Sequence, residues 1–169
     1  SIYNIPAVTN ILIDMRVMLE AGRSLMYAAG LAVDRKEKLD ELVQKLKDEG
    51  KPVSEYTDKV KYISRVANLL TPLCKYVLTE SANKITYDSL QIHGGTGYMR
   101  EFKVERYARD ARITNIYEGT SQLQIVAAIG SVTGDILKDY FDNYEKKTYP
   151  GNLEKLANTL KEIREIYYD

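Results

Sequence analysis

Two long stretches of the chain carry apolar residues three or four residues apart, which is the spacing of one helix face. The first stripe comprises Val8, Leu12, Met15, Leu19, Gly22, Met26, Ala29 and Val33. The second comprises Val60, Ile63, Ala67, Leu70, Cys74, Val77, Ser81, Ile85, Ser89 and Ile92. Pro72 interrupts the second stripe and should kink the helix or restart it after Thr71. Matched stripes of this length predict two long helices that pack as antiparallel neighbours.

The segment between the two stripes, from Asp34 to Asp58, is strongly charged. Its few apolar residues fall on one helical face before Gly50-Lys51-Pro52, and they are Leu39, Leu42, Val43 and Leu46. This pattern predicts a short helix and a turn inserted between the two long helices. The charged side chains then form either a solvated face or a contact with another domain or subunit.

Beyond the second stripe, Val104 to Ile116 and Ser121 to Ile129 each suit a short helix, which brings the count to four. After position 130, two further amphipathic stripes flank Tyr149-Pro150-Gly151 and predict a helical hairpin. We therefore predict an all-α fold. It consists of an up-and-down four-helix bundle over residues 1–130, with a charged insert at 34–58, and an additional C-terminal helical hairpin over 131–169.

The composition excludes several classes of function. Lys plus Arg and Asp plus Glu both number 24, so net charge does not attract the chain to nucleic acid or to an anionic membrane. No apolar run approaches the length of a membrane span, and the first residues lack the features of a signal peptide. One cysteine, Cys74, and one histidine, His93, supply neither an internal disulfide nor a metal cluster. We predict no nucleic-acid partner, no membrane span, no metal site and a cytoplasmic location.

The strongest candidate for chemistry is Glu118, which lies between Tyr117 and Gly119 and follows a glycine-rich turn. Gly119 permits a positive φ, and Thr120 or Ser121 can cap a following helix. Glu20 is the nearest rival, but it lies off the apolar stripe, as a surface charge does. Taken as residues alone, the pattern around Glu118 favours a capping or surface glutamate.

Three segments change that interpretation because of their order and spacing. They are Gln91-Ile92-His93-Gly94-Gly95-Thr96-Gly97-Tyr98, Arg106-Tyr107-Ala108-Arg109-Asp110-Ala111-Arg112 and Ile116-Tyr117-Glu118-Gly119-Thr120-Ser121-Gln122. Together they closely resemble the C-terminal domain of the acyl-CoA dehydrogenases, and the resemblance covers most of residues 5–130. These flavoproteins oxidise the α,β bond of an acyl-CoA thioester to a trans-enoyl-CoA. The helical tail resembles an extension carried by larger members of the family.

The resemblance implies a role for each motif residue. Glu118 matches the catalytic base that removes the α-proton, and Tyr117 and Gly119 match positions that border the substrate. The positions that match FAD-binding residues are Gln91, Ile92, His93, Gly94, Gly95, Thr120 and Gln122. In the family, the segment around Gln91 and Gly95 contacts the adenosine diphosphate portion of a flavin bound mainly by a neighbouring subunit. On residues alone, the same glycines favour a helix C-cap.

These motifs belong to the last part of a longer enzyme, so we expect the chain to be a fragment with a truncated tail. The resemblance implies missing N-terminal domains of the same enzyme, an acyl-CoA substrate, electron-transferring flavoprotein as the acceptor and assembly into a homo-oligomer. A eukaryotic member would lie in the mitochondrial matrix. The isolated chain is expected neither to hold FAD tightly nor to turn over acyl-CoA. The alternative is a catalytically silent relative whose bundle serves oligomerisation or binding.

Overall fold

A computed structural model describes residues 2–132 and 136–168, and every regular element in these ranges is helical. The α-helices are α1 (Pro6–Asp48), α2 (Thr57–His93), α3 (Lys103–Arg112), α4 (Ser121–Val132), α5 (Ile136–Glu145) and α6 (Gly151–Tyr168). Short 3-10 turns occupy Ile2–Asn4, Ser54–Tyr56, Gly94–Tyr98 and Ile113–Asn115. The residues fall into two compact units, 1–131 and 132–169. The all-α prediction is confirmed.

Helix α1 does not stop where the charged segment begins. The separate short helix predicted within 34–58 is wrong, because α1 continues without a break to Asp48. Leu39, Val43 and Leu46 keep the helical spacing through this half of the helix. Charged residues with long side chains are good helix formers, so a change in composition does not end a helix.

A glycine ends α1. Gly50 adopts φ 67°, and its N–H donates to the carbonyl of Lys47 at 3.0 Å. The N–H of Lys51 donates to the carbonyl of Leu46 at 2.9 Å. These two bonds form a Schellman motif, which satisfies carbonyls that the last helical turn leaves unpaired. The chain then reverses over a short connection into α2, so α1 and α2 pack as an antiparallel pair.

The core lies between α1 and α2. It contains Ala29 and Ala32 from α1 and Val66, Ala67, Leu69 and Leu70 from α2. Gly22 lies on the same face, where an added Cβ would sit 2.7 Å from Cδ2 of Leu78. Small residues on α1 therefore let the two helices approach closely, and the larger side chains of α2 fill the space between them.

Helix α2 passes through Pro72 without interruption, so the restart considered after Thr71 is not observed. Pro72 is buried. Its missing N–H removes one helical hydrogen bond, and the packing of the flanking turns outweighs that loss. The hydroxyl of Thr71 donates to the carbonyl of Ala67 at 2.8 Å, which satisfies one acceptor in the same turn.

The shorter helices of the first unit differ in how they pack. Helix α3 buries Val104 and is shorter than predicted, because residues 113–115 form a 3-10 turn. Two ion pairs lie along α3, Arg106 with Asp110 and Arg109 with Glu105. Helix α4 leaves apolar side chains in solvent, and these include Leu123, Val126 and Ile129. No helix in the described ranges combines the length and apolarity that crossing a membrane requires.

In the second unit, Arg164 of α6 joins two carboxylates of α5. Its guanidinium donates to Oδ1 of Asp142 at 2.6 Å and to Oε2 of Glu145 at 2.7 Å. The hydrogen bond from Arg164 lowers the pKa of Asp142 below the ordinary value of an aspartate. The pair therefore connects the two helices most strongly when Asp142 is ionised.

We expect acid to weaken the α5–α6 hairpin through this pair. Because the folded pKa of Asp142 is lowered, its contribution is complete above about pH 4, the unfolded value, and is lost as pH falls through the folded pKa. Hydrogen exchange of α6 amides, corrected for intrinsic rates, should show protection that declines on acidification. Arg164→Met should lose protection already at neutral pH, whereas the exposed-site control Lys161→Met should follow the parent. Equal acid dependence in Arg164→Met and the parent would contradict this assignment.

Candidate functional site

Glu118 lies in the segment that joins the 3-10 turn at 113–115 to α4. Its side chain is exposed, and its backbone adopts φ 53°. It is the one non-glycine residue with positive φ in the described ranges, and Gly119 follows with φ 93°. Two consecutive residues in this region turn the chain sharply, and the Glu118 carboxylate projects from that turn.

Two charged side chains of α2 form hydrogen bonds with residues 115–121. The ammonium group of Lys75 donates to the carbonyl oxygens of Tyr117 and Gly119, the latter at 2.6 Å. It also lies 5.3 Å from the centre of the Tyr117 ring. Toward the two ends of the segment, Oε1 of Glu80 accepts hydrogen bonds from Ser121 Oγ and from Asn115 Nδ2, the latter at 3.1 Å. Residues 115–121 are therefore anchored to one helix at several points.

The start of α4 supplies the remaining contacts. Nε2 of Gln124 donates to the carbonyl of Glu118 at 3.0 Å, so the carbonyls of residues 117, 118 and 119 all accept bonds from side chains. An added Cβ at Gly119 would lie 2.7 Å from Gln124 Nε2. Of the two predicted caps, Thr120 is the one in position, with Oγ1 3.5 Å from the N–H of Leu123. The next motif residue, Gln122, is exposed.

A second cluster of motif residues lies at the C-terminus of α2. Gln91, Gly94 and Gly95 line a shallow pocket of about 310 Å³. The other lining residues are Tyr87, Leu90 and Tyr98. An added Cβ on either Gly94 or Gly95 would meet no atom within 4 Å, so this backbone is open to a ligand.

The remaining residues of the turn are held by local bonds. The side chain of Ile92 is half-buried, whereas His93 is exposed and its Nδ1 lies 2.7 Å from the carbonyl of Ser89. The carbonyl of His93 accepts from the hydroxyl of Thr96 at 2.7 Å. Gly97 is buried, and an added Cβ there would lie 2.6 Å from the Cβ of His93. Glycine at 97 is therefore required by space.

The two clusters are separate within the chain. The Glu118 segment lies against the part of α2 around Lys75 and Glu80, whereas the pocket lies beyond Gln91. At 1.5 Å per residue, Lys75 and Gln91 are roughly 24 Å apart along the helix axis. The structure thus brings together Tyr117, Glu118, Gly119, Thr120 and Gln122, and it brings together residues 91–95, but it does not merge the two groups.

Three other candidates for chemistry are Cys74, a metal cluster and Glu20. Burial raises the pKa of the Cys74 thiol above its ordinary value, which keeps the sulfur protonated and weakly nucleophilic at neutral pH. In the described part of the chain, His, Cys, Asp and Glu side chains form no group that could hold a metal ion. The surface role expected of Glu20 agrees with its ion pairs to Arg16 and Arg23 on α1.

The sequence interpretation missed the residues that hold the segment. Lys75, Glu80 and Gln124 were not singled out, because their partners lie up to 44 residues away or are backbone groups. One signal was present. Lys75, Thr79 and Asn83 form a polar line at helical spacing beside an otherwise apolar stripe, which indicates a face that meets polar backbone.

Comparison with known proteins identifies the family. The family model described as "Acyl-CoA dehydrogenase, C-terminal domain" matches residues 1–130. This chain belongs to the acyl-CoA dehydrogenase family. Among similar acyl-CoA dehydrogenases, the mitochondrial short-chain specific enzyme of Bos taurus is 35% identical over 129 residues, which are 76% of this chain and 24% of that protein.

Two further relatives are similar over most of this chain. The caffeyl-CoA reductase-Etf complex subunit CarC of Acetobacterium woodii is 34% identical over 124 residues, 73% of this chain and 25% of that protein. A chain from a solved structure described as "Electron transferring flavoprotein of Acidaminococcus fermentans" is 32% identical, with a TM-score of 0.56. That match covers 80% of this chain and 28% of the other. This acyl-CoA dehydrogenase domain thus spans about a quarter of the length of its curated relatives.

Proposed function

We propose that this chain is the C-terminal domain of a longer FAD-dependent acyl-CoA dehydrogenase and that Glu118 is its catalytic base. One observation carries the proposal. Glu118 holds a left-handed backbone conformation with an exposed carboxylate. Lys75 of α2 binds the carbonyls on both sides of it, and Gln124 of α4 binds its own carbonyl. A surface or capping glutamate needs no such support, and residues in sparsely populated conformations cluster at functional sites.

The chemistry requires more than a carboxylate. The α-proton of a thioester is far too weakly acidic for an ordinary glutamate, so the developing enolate must be stabilised and water excluded. We assign the enolate hydrogen bond to the backbone N–H of Glu118. Gly119 leaves room for the thioester because it has no side chain. The Tyr117 ring is held beside Lys75, and we assign it to the border of the substrate site. A bound flavin would supply the acceptor for the hydride that leaves the β-carbon.

The residues of both clusters fit an FAD cofactor. Gly94 and Gly95 expose backbone that a phosphate or sugar can approach closely, and Gln91 provides donors and an acceptor beside them. Thr120 and Gln122 lie next to Glu118, where they can contact the part of the flavin nearest the reaction. Because the Glu118 segment contacts α2 near Lys75 and the pocket lies at the C-terminal end of α2, we propose that the two clusters serve two flavins in a homo-oligomer.

The assignment of Glu118 holds for either direction of the reaction. CarC is named as a reductase, whereas the protein of Bos taurus is named as a dehydrogenase. By microscopic reversibility, the carboxylate that accepts the α-proton in oxidation returns it in reduction. We propose an electron-transferring flavoprotein as the redox partner. CarC is named as a subunit of an Etf complex, and the description of the similar solved structure names an electron transferring flavoprotein.

Flavin spectroscopy tests the proposed function. The full-length protein should purify with FAD, and anaerobic addition of acyl-CoA thioesters from a panel of chain lengths should bleach the flavin absorbance. The 169-residue chain alone should hold no flavin and should turn over no thioester. A full-length protein that holds no flavin, or whose flavin no acyl-CoA bleaches and no enoyl-CoA reoxidises, would favour the silent bundle instead.

A further inference from the structure

We infer that Lys75 is a positioning residue that fixes the orientation of Glu118 for proton transfer. This inference rests on the proposed function. Lys75 touches neither Glu118's carboxylate nor any reacting atom in the structure, and it acts through the backbone of the two residues that flank Glu118. Lys75 is half-buried, and its ammonium group binds the carbonyls of Tyr117 and Gly119. Glu80, about one and a half turns later on α2, binds Asn115 and Ser121 at the two ends of the segment.

The geometry of the peptide unit explains the effect. The carbonyl of Tyr117 and the N–H of Glu118 belong to one planar peptide group and point in opposite directions. When Lys75 binds that carbonyl on the α2 side, the Glu118 N–H must point away from α2. The N–H assigned to the enolate oxygen is therefore aimed by a side chain more than 40 residues earlier in the sequence.

The same contact sets the backbone torsion of Glu118. A residue with a Cβ disfavours φ 53°, so a free segment would relax toward negative φ by rotating the adjoining peptide. Lys75 and Gln124 bind three consecutive carbonyls, at residues 117, 118 and 119, and this rotation would break those bonds. Hydrogen bonds from an ammonium group are stronger than those between neutral groups, which suits a contact that must oppose backbone strain.

Lys75→Met, Lys75→Arg and Lys61→Met in the full-length flavoenzyme test this role. Lys61 is an exposed lysine on the same helix and serves as the matched control. Lys75→Met should lower kcat about 100-fold, because a misplacement of about 1 Å costs a factor of that order, with flavin content and substrate KM little changed. Lys75→Arg keeps a charged donor and should retain kcat within about tenfold, and Lys61→Met within about twofold. A kcat for Lys75→Met within threefold of the parent overturns the inference.

Hydrogen exchange separates this inference from the proposed function. In the substrate-free full-length protein, amides of residues 118–121 should exchange faster in Lys75→Met than in the parent or in Lys61→Met. Unchanged exchange overturns the positioning role whether or not the parent is active, whereas an inactive parent with the expected exchange overturns the proposed function alone. If Lys75→Met does not fold, Lys75→Gln decides: an intermediate kcat supports the inference, and a parental kcat overturns it.

Discussion

Glu118→Gln is expected to lower kcat of the full-length enzyme by about 10⁴-fold, the upper end of the range for a general base, because proton abstraction is obligatory in this reaction. Glutamine keeps the length and shape of the side chain but cannot take up the α-proton. FAD content and substrate affinity should therefore stay close to the parent. Stopped-flow measurement of flavin bleaching by a saturating acyl-CoA reports the chemical step directly.

Glu20→Gln is the matched control for this experiment. Glu20 is a carboxylate on α1 that forms ion pairs with Arg16 and Arg23, and its replacement should leave kcat within about twofold. Parental bleaching rates in Glu118→Gln would show that the base lies elsewhere. A loss of bound flavin in Glu118→Gln would instead assign Glu118 a structural role at the cofactor.

Leu69→Ala should give the largest loss of stability, about 2 to 5 kcal/mol in the free energy of unfolding. Leu69 is 1% exposed and is the one large side chain below 2% exposure in the described ranges. Its truncation leaves a cavity in the buried core, which the surrounding side chains would fill only in part. Urea unfolding of the 169-residue chain, followed by far-ultraviolet circular dichroism, measures the change.

Leu31→Ala is the control, because it also removes a leucine side chain from one of the two packed helices, α1 and α2. Leu31 is 50% exposed on α1, so its replacement should change the free energy of unfolding by less than about 0.5 kcal/mol. A destabilisation by Leu69→Ala below about 1 kcal/mol would mean that α1 and α2 are not the core of this unit.

The long helices could be predicted because burial of one broad face repeats at every turn of α1 and α2. The end of α1 could not be predicted. The change in composition at Asp34 indicates a boundary there, whereas the helix ends only near Gly50, which can adopt positive φ. Pro72 gave a local signal for a restart, and that signal was overridden by the packing of the turns around it. Local patterns thus predicted which segments are helical better than where each helix ends.

The candidate site divides in the same way. Residues 117–122 and 91–95 were identified by resemblance to a family, and their own pattern indicated only turns and caps. The contacts of Lys75 and Glu80 join positions 35 to 44 residues apart through backbone carbonyls and short polar side chains. Such contacts depend on how the chain folds in three dimensions, so the polar line of Lys75, Thr79 and Asn83 indicates the face of α2 but not its partners.

The left-handed backbone at Glu118 also bears on how this lineage can change over time. At this φ, residues other than glycine carry a steric penalty of the order of 1 to 2 kcal/mol. A lineage that no longer needs a base at position 118 would therefore gain stability by a change to glycine. The reverse change, from glycine back to glutamate, would then cost the same steric penalty. Under the role proposed for Glu118, its single exchange for glycine would remove the backbone strain and the proton acceptor together.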